Sequence, residues 1–220
     1  MRASFANLAA ATTLALMASP VAHAGGLSLL GTGGAHTDRV YFYSMADSDT
    51  FDDDEPVLYD DYNDYEQFSV DQTLPHFGGG LEIVLGDRDD LITGSVRFYY
   101  LQDGPQEDPA ALTARVPSDY IVTAYREDPR HIGVGLIGLN WGLVEFASDR
   151  LRLMAVGHVG SGFLTTDHTE FFAAGAGPGI VYKAARQVHV FGEIAYQARF
   201  QQRGWQHSGN FTAGVRYYFD

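Results

Sequence analysis

Apolar and mixed side chains alternate with a period of two along eight stretches of the chain, each about as long as a tilted membrane strand. The last is the plainest. In Asn210–Phe219, Phe211, Ala213, Val215, Tyr217 and Phe219 fall on one face, and Asn210, Thr212, Gly214, Arg216 and Tyr218 on the other. Val188–Phe200 repeats this, with Val190, Ile194 and Tyr196 opposite His189, Glu193, Gln197 and Arg199. Leu91–Leu101 sets Ile92, Val96, Phe98 and Tyr100 against Thr93, Ser95, Arg97 and Tyr99. Gly26–Ala35, Phe77–Leu85, His131–Val144, Leu151–Phe163 and Phe171–Lys183 carry the same alternation at lower contrast. Pro178 in the sixth stretch is awkward, because proline donates nothing to a ladder; a bulge there is expected.

The connections sort by length. Gly86–Asp90, Glu145–Arg150 and Ala184–Gln187 are short, whereas Thr37–His76 and Gln102–Arg130 are long, and both long ones follow odd-numbered stretches. Short turns at one end and long loops at the other are the plan of an outer-membrane barrel, with both termini at the turn side when the strand count is even. The alternative is a soluble eight-stranded barrel or a β-sandwich, which would put the apolar face inside. Two features favour the membrane arrangement. The polar faces carry few charges for a solvated surface, and the apolar faces end in aromatics such as Tyr100, Trp141, Tyr182, Tyr196, Tyr217 and Phe219, as interfacial girdles do. The expected fold is therefore all-β, an eight-stranded antiparallel up-and-down transmembrane β-barrel spanning residues 25–220.

The first residues read as an address. Met1-Arg2 precedes an apolar stretch, Leu8–Met17, and then Ala22-His23-Ala24 forms a small-residue cleavage pattern. This is a secretory signal peptide cut after Ala24, and its apolar part is too short for a membrane span. Cysteine is absent, so there is no disulfide frame, and a Gram-negative periplasm or outer membrane is the expected destination. Lys and Arg together number 14 against 28 Asp and Glu, a formal net charge of −14. That balance excludes a nucleic-acid binder, whose phosphate contacts require cations.

The C-terminal stretch Gly214-Val215-Arg216-Tyr217-Tyr218-Phe219, the glycine-alternating Gly175–Lys183 and the following Val188–Tyr196 together resemble the small eight-stranded outer-membrane barrels, the OmpA-type transmembrane domain family. The resemblance is good over Phe171–Phe219 and topological elsewhere. It implies a barrel-insertion signal carried by Gly214, Tyr217 and Phe219, with outer-membrane lipid and the barrel-assembly machinery as partners. Asp220 follows Phe219, where the family pattern ends on the aromatic.

Glu82, Arg97, Arg152, Glu193, Arg199 and Arg216 fall on the polar faces, so a membrane barrel points them inward. Eight strands leave an interior that side chains just fill, and buried charges must pair. These six are therefore read as a structural salt-bridge network closing the lumen, in preference to an ion path. Between Asp47 and Glu66 there are ten acids, and no Lys or Arg occurs from Val40 to Asp87. This acidic run is read first as a solvated outside loop. Its calcium candidates are Asp47, Asp49, Asp52, Asp53 and Asp54, which lack the glycine and spaced glutamate of a preformed loop. The interleaved tyrosines also suit a protein- or glycan-contacting surface.

Signals for catalysis are thin. His207 and Ser208 are adjacent and so point to opposite faces of a strand; His168 and Glu170 share a face without a serine beside them, and Asp167-His168 reaches Ser161 only through loop folding. The expectation is a monomeric barrel without an open pore, a cofactor or enzymatic activity, acting structurally or through its acidic outside loops. A lipid-modifying barrel enzyme (deacylase or acyltransferase) and a small apolar-molecule carrier are the alternatives. The first needs a His/Ser/acid cluster at the rim; the second needs an apolar lumen, which the arginines oppose.

Overall fold

The computed structural model describes residues 25–44, 67–118, 120–122, 130–147, 149–164, 170–201 and 204–219. The strands are β1 (Gly25–Ser44), β2 (Gln67–Leu85), β3 (Ile92–Asp103), β4 (Tyr120–Val122), β5 (His131–Phe146), β6 (Leu151–Leu164), β7 (Glu170–Lys183), β8 (Val188–Gln201) and β9 (Gly204–Tyr218). A five-residue helix, α1 (Pro109–Thr113), precedes β4. All strands but β4 form a closed antiparallel up-and-down barrel. Neighbours run β2-β3-β5-β6-β7-β8-β9-β1, and a β2–β1 pairing completes the ring. Closure leaves no free edge in the barrel, which is why every strand is paired on both sides. Residues 1–24, where a signal peptide is expected, the acids from Asp47 to Glu66, and Asp167 and His168 lie outside the described residues.

The barrel unit comprises Met1–His36, Pro75–Asp103 and Arg130–Asp220. Its alternation is inverted relative to a soluble protein. On β8, Val190, Ile194 and Tyr196 are exposed while His189, Glu193, Gln197 and Arg199 are buried. On β9, Phe211, Val215 and Tyr217 are exposed while Ser208, Thr212 and Arg216 are buried. A few apolar residues also turn inward: Leu101, Ile132, Val134, Leu136, Leu164, Phe171 and Ala173 form one inner cluster, and Leu30, Met154, Val156, Val181 and Phe191 a second.

Three tight turns close one end. Gly86 takes φ 119° at the β2–β3 turn, a conformation that L side chains rarely adopt, and the Asp87 amide donates to Asp90 Oδ2 at 2.7 Å. Ala147 and Asp149 sit at φ 52° and 64° in the β5–β6 turn. The expected bulge at Pro178 is absent. Pairing of β7 with β8 lapses after Ala176↔Tyr196 and resumes at Gly179↔Glu193 without a change of register, while Pro178 stays opposite Ala155 of β6. The irregularity falls instead in β5, where the register with β6 shifts between Gly142 and Val144.

The second unit, Thr37–Leu74 with Gly104–Pro129, corrects the expectation that Thr37–His76 is all loop. β1 continues to Ser44 and β2 begins at Gln67. Phe42, Tyr43 and Ser44 pair with Val122, Ile121 and Tyr120 of β4. Val40, Phe42, Val70 and Leu112 make a small core here. Asp108 caps α1 by accepting from the Ala110 amide at 2.8 Å, satisfying one of the donors that a helix start leaves unpaired.

Candidate functional site

The barrel lumen holds the chemistry, in layers. The central layer is an ion-pair plug. Register places Glu82 opposite Arg97 on β2 and β3, and Ser28 opposite Arg216 on β1 and β9. Arg97 Nε donates to Glu82 Oε1 at 2.8 Å. Arg216 Nη2 and Ser28 Oγ donate to Glu82 Oε2 at 2.7 and 2.8 Å. The remaining fork of Arg97 grips Glu193 of β8 through both oxygens, with Nη2 to Oε2 at 2.9 Å. Arg216 also lies over the Phe191 ring, 4.7 Å from its centroid. Two carboxylates and two guanidiniums thus neutralise one another out of water, in the bidentate geometry that favours Arg over Lys.

The other two arginines expected in this network stand elsewhere. Arg152 is the second residue of β6 and therefore sits at the turn end. There Arg152 Nε donates to Glu145 Oε1 at 2.7 Å and its Nη1 donates to the Asp90 carbonyl at 2.9 Å. Lys183 joins this ring through Asp89 at 3.4 Å and Glu145 at 3.5 Å. Burial opposes the charge of Asp89, but the hydrogen bonds from Arg88 and Lys183 outweigh it and hold the carboxyl below its usual range. Arg199 is near the loop end of β8, 1% exposed, and its Nε donates to Gln197 Oε1 at 3.1 Å. Because arginine only donates, Gln197 presents its NH2 to His158 Nε2, 3.4 Å away. That puts the imidazole proton of His158 on Nδ1.

Two small cavities adjoin the plug, each with room for about one or two water molecules. One is lined by Thr93, Asn140, Lys183, His189 and Arg216 toward the turns. The other is lined by Tyr99, His158, Glu193, Gln197 and Asn210 toward the loops. Neither admits a larger solute.

Above the second cavity is a layer that the sequence reading missed. His36 of β1 and His76 of β2 meet through their Nδ1 atoms at 3.3 Å. His36 Nε2 stands at ion-pair distance, 3.5 Å, from Asp103 Oδ2, and that oxygen accepts a hydrogen bond from Arg130 Nε at 3.2 Å. His76 Nε2 lies 2.7 Å from Asn210 Oδ1, and Ser208 Oγ donates to the same oxygen at 2.8 Å. His36 lies one residue past the first expected strand, His76 one before the second and Asp103 two past the third. Continuing the period of two beyond those limits would have found all three. This is a His/Ser/acid cluster of the kind a lipid-modifying enzyme would need, but Ser208 is 1% exposed and gives its hydrogen to an amide oxygen, not to a ring nitrogen. It is not an activated nucleophile. His207, its neighbour, faces outward and pairs with the Tyr196 hydroxyl.

The residues of the expected insertion signal lie at the turn end of β9. Tyr217 and Phe219 are exposed and contact one another edge to face, with centroids 5.6 Å apart. A Cβ on Gly214 would meet the Leu29 carbonyl and the Phe191 ring, so this position admits close packing only without a side chain.

No protein-family model matches the chain, and no curated protein matches it. Among solved structures it is similar to Ail, the attachment invasion locus protein of Yersinia pestis, at 10% identity over 89% of this chain and 98% of that one, with a TM-score of 0.41. Neisserial surface protein A follows at 10% identity, 87% and 96% coverage and a TM-score of 0.41. The outer membrane protease OmpT from Escherichia coli gives 9% identity, 91% and 98% coverage and a TM-score of 0.36. The barrel assignment here rests on the register of its own strands.

Proposed function

We propose that this chain is an outer-membrane barrel without an open pore, anchored in lipid by its exterior and acting structurally or through acidic loops on the outside of the cell. The observation that carries the reading is the inverted burial: a closed barrel whose exterior is a band of exposed Leu, Ile, Val and aromatic side chains and whose interior buries Glu82, Arg97, Glu193, Arg199 and Arg216. Water would penalise that exterior, whereas lipid accepts it, because closure satisfies every ladder within the barrel. The ion-pair plug and water-sized cavities support a closed lumen. The acids from Asp47 to Glu66 follow an outward-running strand, which supports a role for that segment at the surface.

Whole-cell protease shaving with mass spectrometry tests this reading. Cleavage is expected within residues 45–66, while the turn residues Gly86–Asp90 and Ala184–Gln187 stay intact until the outer membrane is permeabilised. Recovery of the chain as a soluble monomer without detergent overturns the membrane assignment. Protection of residues 45–66 on intact cells overturns the surface role.

A further inference from the structure

Register sets Lys183 of β7, His189 of β8 and Arg216 of β9 side by side in one row across three adjacent strands. Directly opposed residues share a face, so this inward row holds an imidazole between two cations. All three line the cavity on the turn side of the plug. His189 is 3% exposed, and among the described residues neither of its ring nitrogens has a hydrogen-bond partner; its ring neighbour is Tyr218, with centroids 4.8 Å apart. A buried polar group left in that state is costly unless something in the cavity answers it. We propose that this cavity is a binding site for a single chloride-sized anion, held by the His189 N–H between Lys183 and Arg216.

The wall offers hydrogens and few acceptors. The Tyr218 hydroxyl accepts from Arg216 Nη1 at 3.3 Å, and the Thr93 hydroxyl accepts from Asn140 Nδ2 at 3.5 Å, so each keeps its own hydrogen uncommitted. The Asn140 amide is fixed in that sense, because its Oδ1 accepts from Arg97 Nη2 at 3.4 Å and arginine only donates. The Lys183 ammonium carries three hydrogens and meets Asp89 and Glu145 only at 3.4 and 3.5 Å. Those two carboxylates are 67% and 35% exposed in their side chains and stand outside the lining, whose one acid is Asp90. Asp90 Oδ2 already accepts from the Asp87 amide, and the Asp90 carbonyl from Arg152 Nη1.

A water molecule could answer such donors too; the charge decides for an anion. Arg216, Lys183 and Arg152 each act on His189 more strongly than Asp89, which opposes them. The potential is therefore positive where the imidazole stands unmatched, and the low-dielectric wall strengthens it. Glu82 answers Arg216 from the plug side and does not reach the lining. A cavity with room for about one or two waters accepts a halide and rejects phosphate or an organic acid. An anion there would tie the plug, through Arg216, to the ring of charges at the turns, through Lys183.

Chloride titration of the full mature chain in detergent micelles tests this, at fixed pH and ionic strength, with gluconate replacing chloride because it is too large to enter. The His189 imidazole, assigned by nitrogen-15 NMR from the spectrum of His189→Gln, should shift along a saturating curve in chloride and stay in place in gluconate. Excess chlorine-35 line width should follow the same curve. Lys183→Met should weaken binding at least tenfold. Arg186→Gln, which removes a turn-end cation outside the lining, should change it less than twofold. The absence of a saturating His189 shift in the native protein up to molar chloride would mean that water fills the cavity, and overturns the proposal without relying on any variant. An unchanged midpoint in Lys183→Met, or equal losses in Lys183→Met and Arg186→Gln, with both variants confirmed as folded by heat-modifiable gel migration, overturns the assignment of the anion to this cavity.

Discussion

Glu82 and Arg97 face each other across the β2–β3 ladder, carboxylate to guanidinium at 2.8 Å, and neither side chain is more than 2% exposed. Register alone pairs them, and the same Glu82 also receives Arg216 and Ser28. Glu193 by contrast receives only Arg97 among the contacts described. The two glutamates are therefore unequal.

Glu82→Ala strands two buried guanidiniums and should cost about 3–5 kcal/mol, the range for breaking a buried pair from one side. Glu193→Ala leaves Arg97 its bond to Glu82 and should cost less, about 1–3 kcal/mol. Urea unfolding midpoints of the two variants in detergent check the order. Equal and small losses would mean that water reaches the plug and solvates it.

The proposed lipid-facing exterior predicts a fluorescence result. Trp141 and Trp205 are both exposed on the exterior, 52% and 63%, at opposite ends of their strands. Trp205 packs against Phe200 at 4.0 Å. In reconstituted vesicles each should be quenched strongly by headgroup-depth quenchers and weakly by quenchers near the acyl-chain ends, as residues of two interfacial girdles are. Single-tryptophan variants, Trp141→Phe and Trp205→Phe, separate the signals. Strong quenching of either one by an aqueous quencher alone would contradict the proposed depth.

Eight strands were legible because one face of each is apolar enough to show the period of two against any background. Glu82, Arg97, Glu193 and Arg216 were legible as inward for the same reason. What alternation does not encode is height along the barrel. Arg152 shares a face with Met154 and His158, yet it sits among the turns because it is the second residue of β6. The outward extensions of β1 and β2 were missed because their buried positions mix His36, Asp38, Val40 and Phe42, or Val70, Gln72, Leu74 and His76, a pattern that alternates in burial but not in polarity. Pro178 was expected to force a bulge; skipping two pairs on the β8 side accommodates its missing donor more simply.

The turn-end ring predicts a small pH dependence. Asp89 is held below the usual carboxylate range chiefly against its own burial, by Arg88 and Lys183. A carboxyl whose folded value is depressed adds stability above its unfolded value, and that contribution is lost as pH falls through the folded one. Acidification should therefore lower the unfolding midpoint slightly, and Asp89→Asn should flatten that slope. Asp89 is 67% exposed in its side chain, so the effect should stay under about 1 kcal/mol and shrink in salt. An unchanged slope in Asp89→Asn would place the acid sensitivity elsewhere.

The acidic run makes the last prediction. Ten carboxylates between Asp47 and Glu66 repel one another at about 1 kcal/mol per close pair even in water, and a divalent cation would relieve that. Binding by Asp47, Asp49, Asp52, Asp53 and Asp54 would be weak, on the order of 10⁻⁴–10⁻³ M, because their spacing is not that of a preformed loop. Millimolar calcium should then slow proteolysis within residues 45–66, and replacing Asp52, Asp53 and Asp54 together with Asn should remove the protection while leaving the barrel's heat-modifiable migration unchanged. Equal cleavage rates in calcium and in chelator, with no heat of binding by calorimetry, would leave a solvated anionic surface. Such a surface attracts basic partners, and its association rates with a cationic protein should then fall steeply as ionic strength rises.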